Sequence, residues 1–182
     1  MRTIAAYASE RFPVRLFAPA ILLHATIAWW VAGSPLSTLP VAISLIGLLF
    51  VQFRLWDDLE DVDRDRVAYA DRVLVNSDRR AFRRVLVALL AATFAALAPE
   101  ATAAGLFAVL LVVFVASYRV IRRWLSDLQW RYRLLLLKYP AFIWIVAARI
   151  GEPTAQVAAG AVAAYLAASS YEFWHTRLEP TS

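Results

Sequence analysis

Cysteine is absent from the 182 residues, which excludes disulfides, a thiolate nucleophile and a cysteine-ligated metal, and leaves the redox compartment unread. Charge is scarce. Asp, Glu, Lys and Arg together make up 18% of the chain against 62% apolar residues, less charge than a soluble domain of this length normally carries. Acidic residues are missing altogether from six apolar stretches, near 16–33, 39–53, 82–98, 103–118, 134–150 and 156–171. A stand-alone transporter usually carries a buried acid on its ion pathway, so that class is disfavoured. The formal charge of +5 does not point to nucleic acid, because the basic residues flank apolar stretches instead of lining a polar, aromatic surface.

What is present is hydrocarbon in helix-length pieces. In a bilayer every backbone N–H and C=O needs a partner inside its own segment, and the stretches fall near or slightly below the ~20 residues of a crossing helix. The expected fold class is therefore all-α, a polytopic membrane helical bundle of about six transmembrane helices forming one domain over 1–182. Buried helices of a soluble bundle are the competing reading, but six such helices exceed what one small core can hide. Arg2, Arg11 and Arg15 upstream of the first stretch, with Ala32 and Gly33 at its end, outline a signal peptide. The stretch is longer than a typical apolar signal region and more follow it, so it is expected to remain in the mature protein.

Basic residues sort by connection: three precede the first stretch, eight gather at 54–84, six at 119–138, and one follows the sixth stretch. The turns at 33–39 and 98–103 have none, and Arg149 lies near the last turn. This asymmetry predicts both termini on the cytoplasmic side of the cell's inner (plasma) membrane. Gly33-Ser34-Pro35, Pro99 and Gly151-Glu152-Pro153 read as tight turns between antiparallel neighbours. Any chemistry is then expected at the cytoplasmic face.

Acidic residues are concentrated further: Asp57, Asp58, Glu60, Asp61, Asp63, Asp65, Asp71 and Asp78, eight of the 14, fall in the connection at 54–84. If the second helix continues past the membrane, Asp57, Asp61 and Asp65 stack on one face at i, i+4 and i+8, with Asp58 beside them. Each like-charge pair then costs a few tenths of a kcal/mol on an isolated helix, and more near low dielectric, unless cations neutralise the group. Hard carboxylate oxygens without histidine or thiolate select Mg2+ or Ca2+, and Mg2+ typically adds substrate phosphates to one or two carboxylates. A bland alternative pairs these acids with Arg64, Arg66, Arg72, Arg79 and Arg80 in a solvated loop, where such pairs contribute little. A calcium loop opening at Asp61 fails, since Arg66 stands where glycine is needed and Arg72 where the bidentate glutamate is needed. Asp57-Asp58-Leu59-Glu60-Asp61 also satisfies the Asp-Asp-x-x-Asp pattern of soluble isoprenyl diphosphate synthases, whose chains are not strings of membrane spans.

The run Asp57-Asp58-Leu59-Glu60-Asp61-Val62-Asp63-Arg64-Asp65 resembles the first aspartate-rich motif of the UbiA-type membrane prenyltransferases, Asn-Asp-x-x-Asp-x-x-x-Asp at the cytoplasmic end of their second helix. Arg66 and Arg72 stand at the offsets of the family's following basic residues, and Tyr118 with Arg122 and Arg123 looks like its Tyr, Lys-Arg tract after helix four, about one residue out of register. The resemblance implies Mg2+ bridging Asp58, Asp61 and Asp65, the catalytic set, to a prenyl diphosphate, with Asp57 in the asparagine position as a further metal ligand. It also implies Arg66, Arg72, Tyr118, Arg122 and Arg123 around the diphosphate. Ionisation of the C–O bond would release diphosphate and leave an allylic cation for an acceptor that the residues do not identify.

Phe53, Trp124, Trp130 and Tyr139 are candidates to shield such a cation, though aromatics near a membrane interface are more often anchors, the reading given to Trp56. Lys138, inside an apolar run, is expected to snorkel to the cytoplasmic face, and His24 to bond a backbone carbonyl of a neighbouring helix. The family's second acidic motif would fall at 169–177, which holds Glu172 and His175 but no aspartate. Two functions follow as expectations. One is a short prenyltransferase whose second metal site is replaced by Glu172 and His175, by basic residues or by a second subunit of a homo-oligomer. The other is a non-catalytic membrane protein that binds isoprenoid diphosphate, or a partner subunit of a complete enzyme.

Overall fold

The computed structural model describes residues 2–124, 135–152 and 155–178, and the described residues are helical with no strand. The helices are α1 (Arg2–Arg11), α2 (Val14–Val31), α3 (Leu39–Ala68), α4 (Arg79–Leu97), α5 (Ala101–Trp124), α6 (Lys138–Ile150) and α7 (Ala155–Leu178), with one 3-10 turn at Leu36–Thr38. Among the described residues three segments suffice by length and composition to cross a membrane, Val14–Val31, Leu36–Ala68 and Ala101–Val120, and a shorter apolar helix covers Ala155–Leu166.

Local chemistry explains the ends. Gly33, at φ +60, stands in the left-handed region just past α2, where a side chain would crowd the backbone. Pro40 in the first turn of α3 occupies a place whose N–H would have no helical partner. Asp78 caps α4 by accepting from the Arg80 N–H at 2.9 Å.

The core is centred on α6, which packs against α2, α3, α5 and α7 and buries Phe142, Ile143, Ile145, Val146, Ala147 and Ala148. At 13 residues it is only ~20 Å long, and it is enclosed by its neighbours over that whole length. Ring contacts join the helices laterally: Phe53 meets Phe114 edge-to-face at 4.7 Å and Phe142 at a tilt at 5.1 Å between centroids. At one end of the bundle the hairpin turns interlock. Ser34 Oγ donates to the Ile150 carbonyl at 2.8 Å, and Arg149 Nε donates to the Ala96 carbonyl at 2.9 Å. The charged connections lie at the opposite end, so the chain runs up and down between a turn end and a charged end.

Candidate functional site

The site is the C-terminal part of α3. This helix has 30 residues and is ~45 Å long, about 15 Å more than the hydrocarbon core of a bilayer. Its apolar first half therefore runs without a break into the acidic tract, and only 69–78 of the expected connection is non-helical. Successive residues on a helix point ~100° apart, so the adjacent Asp57 and Asp58 serve different neighbours.

Asp58 is buried at 5% exposure and turns toward α1. Its Oδ2 accepts from Tyr7 Oη at 2.8 Å and Arg11 Nε at 2.9 Å, and its Oδ1 accepts from Arg11 Nη2 at 2.6 Å. That is a two-point guanidinium–carboxylate pair with a phenol added, and Arg54 Nε stands 3.5 Å from Oδ1. Burial and the neighbouring Asp58 push the Tyr7 hydroxyl far above its ordinary value, so it stays a donor throughout the working pH range. Burial works against the charge on Arg11, but its bonds to Asp58 outweigh this and raise its pKa further. A small apolar cluster of Tyr7, Leu55, Val62, Leu74 and Phe82 holds α1 in this position.

Asp57 turns the other way, toward α5 and α6. Its Oδ1 accepts from Tyr118 Oη at 2.5 Å and its Oδ2 accepts from Lys138 Nζ. Lys138 is thus buried against a carboxylate and does not snorkel: it is the first residue of α6, directed inward where Asp57 is within reach, so pairing replaces hydration. Asp65, also 5% exposed, is paired with Arg72, whose guanidinium lies 3.9 Å from the Tyr69 ring centroid. Asp61 accepts from Arg64 and Asp63 from Arg79 at 2.9 and 2.8 Å. Arg66 is exposed in the last turn of α3. Arg122 and Arg123 belong to the end of α5, but their side chains, like those of Trp124, Glu172 and His175, are outside the described set, as is Trp130 altogether.

Each of the four motif carboxylates is therefore met by a cation of the chain itself, and among the described residues no group of three His, Cys, Asp or Glu is arranged to hold a metal ion. The arrangement fits an ion-paired helix end, in which Arg11, Lys138, Arg64 and Arg72 each lie against one of these carboxylates. Two hollows border it. A groove of about 260 Å3 runs between α5 and α6, apolar along Leu106, Val109, Leu110, Val113, Ala141 and Trp144, with Ser117 and Lys138 as its polar groups. A second hollow of about 230 Å3 lies between α3 and α5 at Trp56, Glu60, Tyr118 and Arg119.

Sequence reasoning missed Tyr7 and Arg11, because nothing in a ten-residue N-terminal helix marks it as a partner of residue 58. The signal for Lys138 was its place in an apolar run, which demanded a partner without naming one. Trp56 is half-buried, stacked on Phe53 and edge-on to Phe114, and so is part of the packing. His24 bonds the Ala20 carbonyl of its own helix at 2.8 Å, one turn back, because that acceptor is the nearest in a helix. The fold defines an all-helical protein with helices long and apolar enough for a membrane. No family model, curated protein or solved structure matches the chain.

Proposed function

We propose that this is an integral membrane protein of UbiA-like type that binds an isoprenyl diphosphate at the acid end of α3 and transfers the prenyl group to a small or lipidic acceptor. In this reading α2 to α7 are six membrane segments with both termini cytoplasmic, and the acid end faces the cytoplasm from the inner (plasma) membrane. The observation that carries it is the single helix α3, which takes Asp57, Asp58, Asp61 and Asp65 out of the apolar bundle to one end, beside an apolar groove. Mg2+ is the expected cofactor, and the arrangement as it stands supplies no ready-made place for it.

One observation favours a second reading. A site whose carboxylates are already neutralised by Arg11, Arg72 and Lys138 is suited to holding a ligand without turning it over, alone or as the partner subunit of a complete enzyme. A titration separates the two. Purified protein in mild detergent is given prenyl diphosphates of several lengths with and without Mg2+, following tryptophan emission, with Asp58→Asn/Asp61→Asn as control and circular dichroism to verify folding. Saturable binding that requires Mg2+ and both aspartates, with diphosphate released once an acceptor is supplied, is the outcome expected of a transferase. Binding without Mg2+ and without release establishes the binder, and no binding at any chain length by folded protein overturns both.

A further inference from the structure

Helix α4 has a basic face that the acid end does not use. Phe82 is buried at 1% exposure against the α1 cluster, while Arg80, Arg83 and Arg84 are exposed on the outer side of the same turns. Arg79 of this turn pairs with Asp63, but among the described residues Arg80, Arg83 and Arg84 have no ion pair through their side chains. Residues three and four apart lie on one face of a helix, so this face continues into Val87, Ala88 and Ala91, all exposed. Within one helical turn the outer surface changes from guanidinium to bare hydrocarbon.

Such a step matches the boundary between headgroups and acyl chains. Helical side chains lean toward the N-terminus, and the N-terminus of α4 is at the charged end, so these arginines reach outward from the apolar part of the helix. A binding partner for this face must present negative charge and hydrocarbon at adjacent levels. A soluble phosphate offers the first without the second, whereas a phospholipid of net negative charge carries both in one molecule.

We propose that Arg80, Arg83 and Arg84 form a headgroup site for phospholipid of net negative charge, with the acyl chains lying along Val87 and Ala91. The three guanidinium groups bind phosphate oxygens through charge-assisted hydrogen bonds, and each adds to the attraction of the anionic leaflet. The site is independent of the isoprenyl-diphosphate reading and stands or falls separately from it.

The test is the thermal unfolding of the full chain in phosphatidylcholine nanodiscs with a rising fraction of phosphatidylglycerol, with bound lipid counted by native mass spectrometry. The wild-type midpoint is expected to rise with phosphatidylglycerol and the rise to shrink in high salt. Arg80→Gln/Arg83→Gln/Arg84→Gln should lose the rise and retain phosphatidylglycerol on the order of ten-fold less well relative to phosphatidylcholine. Arg80→Lys/Arg83→Lys/Arg84→Lys should keep part of both. If the triple glutamine variant does not fold, the single Arg83→Gln variant is read by lipid retention in the same way. Equal lipid preference in wild type and variant, or no preference in the wild type, overturns the proposal, the second outcome leaving the face to an acidic protein partner.

Discussion

Asp57 and Asp58 differ by one position and share no partner among the described residues, and the difference has consequences that can be measured. Lys138 is at 8% exposure, and its removal would leave Asp57, among the described residues, with the Tyr118 hydroxyl in a low-dielectric setting. Breaking a buried pair from one side typically costs about 3–5 kcal/mol, whereas replacing both charges costs far less. Lys138→Met is therefore expected to lower stability by that order, and Lys138→Met/Asp57→Asn to recover most of it. Reversible unfolding in mixed micelles measures both, and equal stability of Lys138→Met and wild type would show the pair to be idle. Residue types at this end were legible in sequence; the pairing was not, because Lys138 and Asp57 are 81 positions apart and meet only when α6 docks on α3.

At the scale of elements, α3 is the member whose continuity matters most, since one unbroken helix fixes the acid tract rigidly to the apolar bundle. The sequence shows an apolar stretch over 39–53 and offers continuation into the acids only as a condition; the helix meets that condition, and its end at Ala68 is closed by the Tyr69 N–H on the Asp65 carbonyl at 2.7 Å. Close approach at the turn end gives a prediction in two directions. A Cβ on Gly151 would lie 2.8 Å from the Ala32 carbonyl oxygen and 2.5 Å from Ser34 Oγ, whereas one on Gly105 in α5 meets nothing within 4 Å. Gly151→Ala is expected to lower stability by about 1–3 kcal/mol through overpacking against backbone, and Gly105→Ala to raise it by about 0.4–1 kcal/mol by restricting the unfolded chain. Thermal midpoints of the two variants, measured in one detergent, check the opposite signs. Gly160 plays a related part between α7 and α2, where Ile27 and Val31 methyl groups stand 3.0 Å from its Cβ position.

Across the whole molecule the dominant feature is polarity from end to end. Ser34, Ile150, Ala96 and Arg149 tie the turns together at one end, and Arg11, Asp57, Asp58, Tyr118 and Lys138 tie α1, α3, α5 and α6 at the other. The proposed topology places these ends on opposite sides of the membrane. Because the chain lacks cysteine, single substitutions report it directly. A membrane-impermeant maleimide is expected to label Ser9→Cys and Asn76→Cys, both exposed at the charged end, only after the cytoplasmic side is opened, and Ser37→Cys in intact cells. Labelling of all three from one side would reject the topology.

The sequence by itself determined the helical class, the run of apolar segments, the placing of turns at Gly33 and Gly151, and the concentration of acids near one helix end. These are properties of composition and spacing, governed by backbone hydrogen bonding in hydrocarbon and by local turn chemistry. Tertiary structure alone decided that α6 is enclosed at the centre, that α1 folds back over Asp58, and that Lys138 and Arg11 neutralise Asp57 and Asp58, whereas pairing of Asp61, Asp63 and Asp65 with Arg64, Arg79 and Arg72 was an alternative the sequence held open. The reason is physical: a carboxylate's need for a cation is written in its own chemistry, and near neighbours such as Arg64 and Arg72 answer it locally, but for Asp57 and Asp58 which cation answers depends on the docking of helices far apart in the chain.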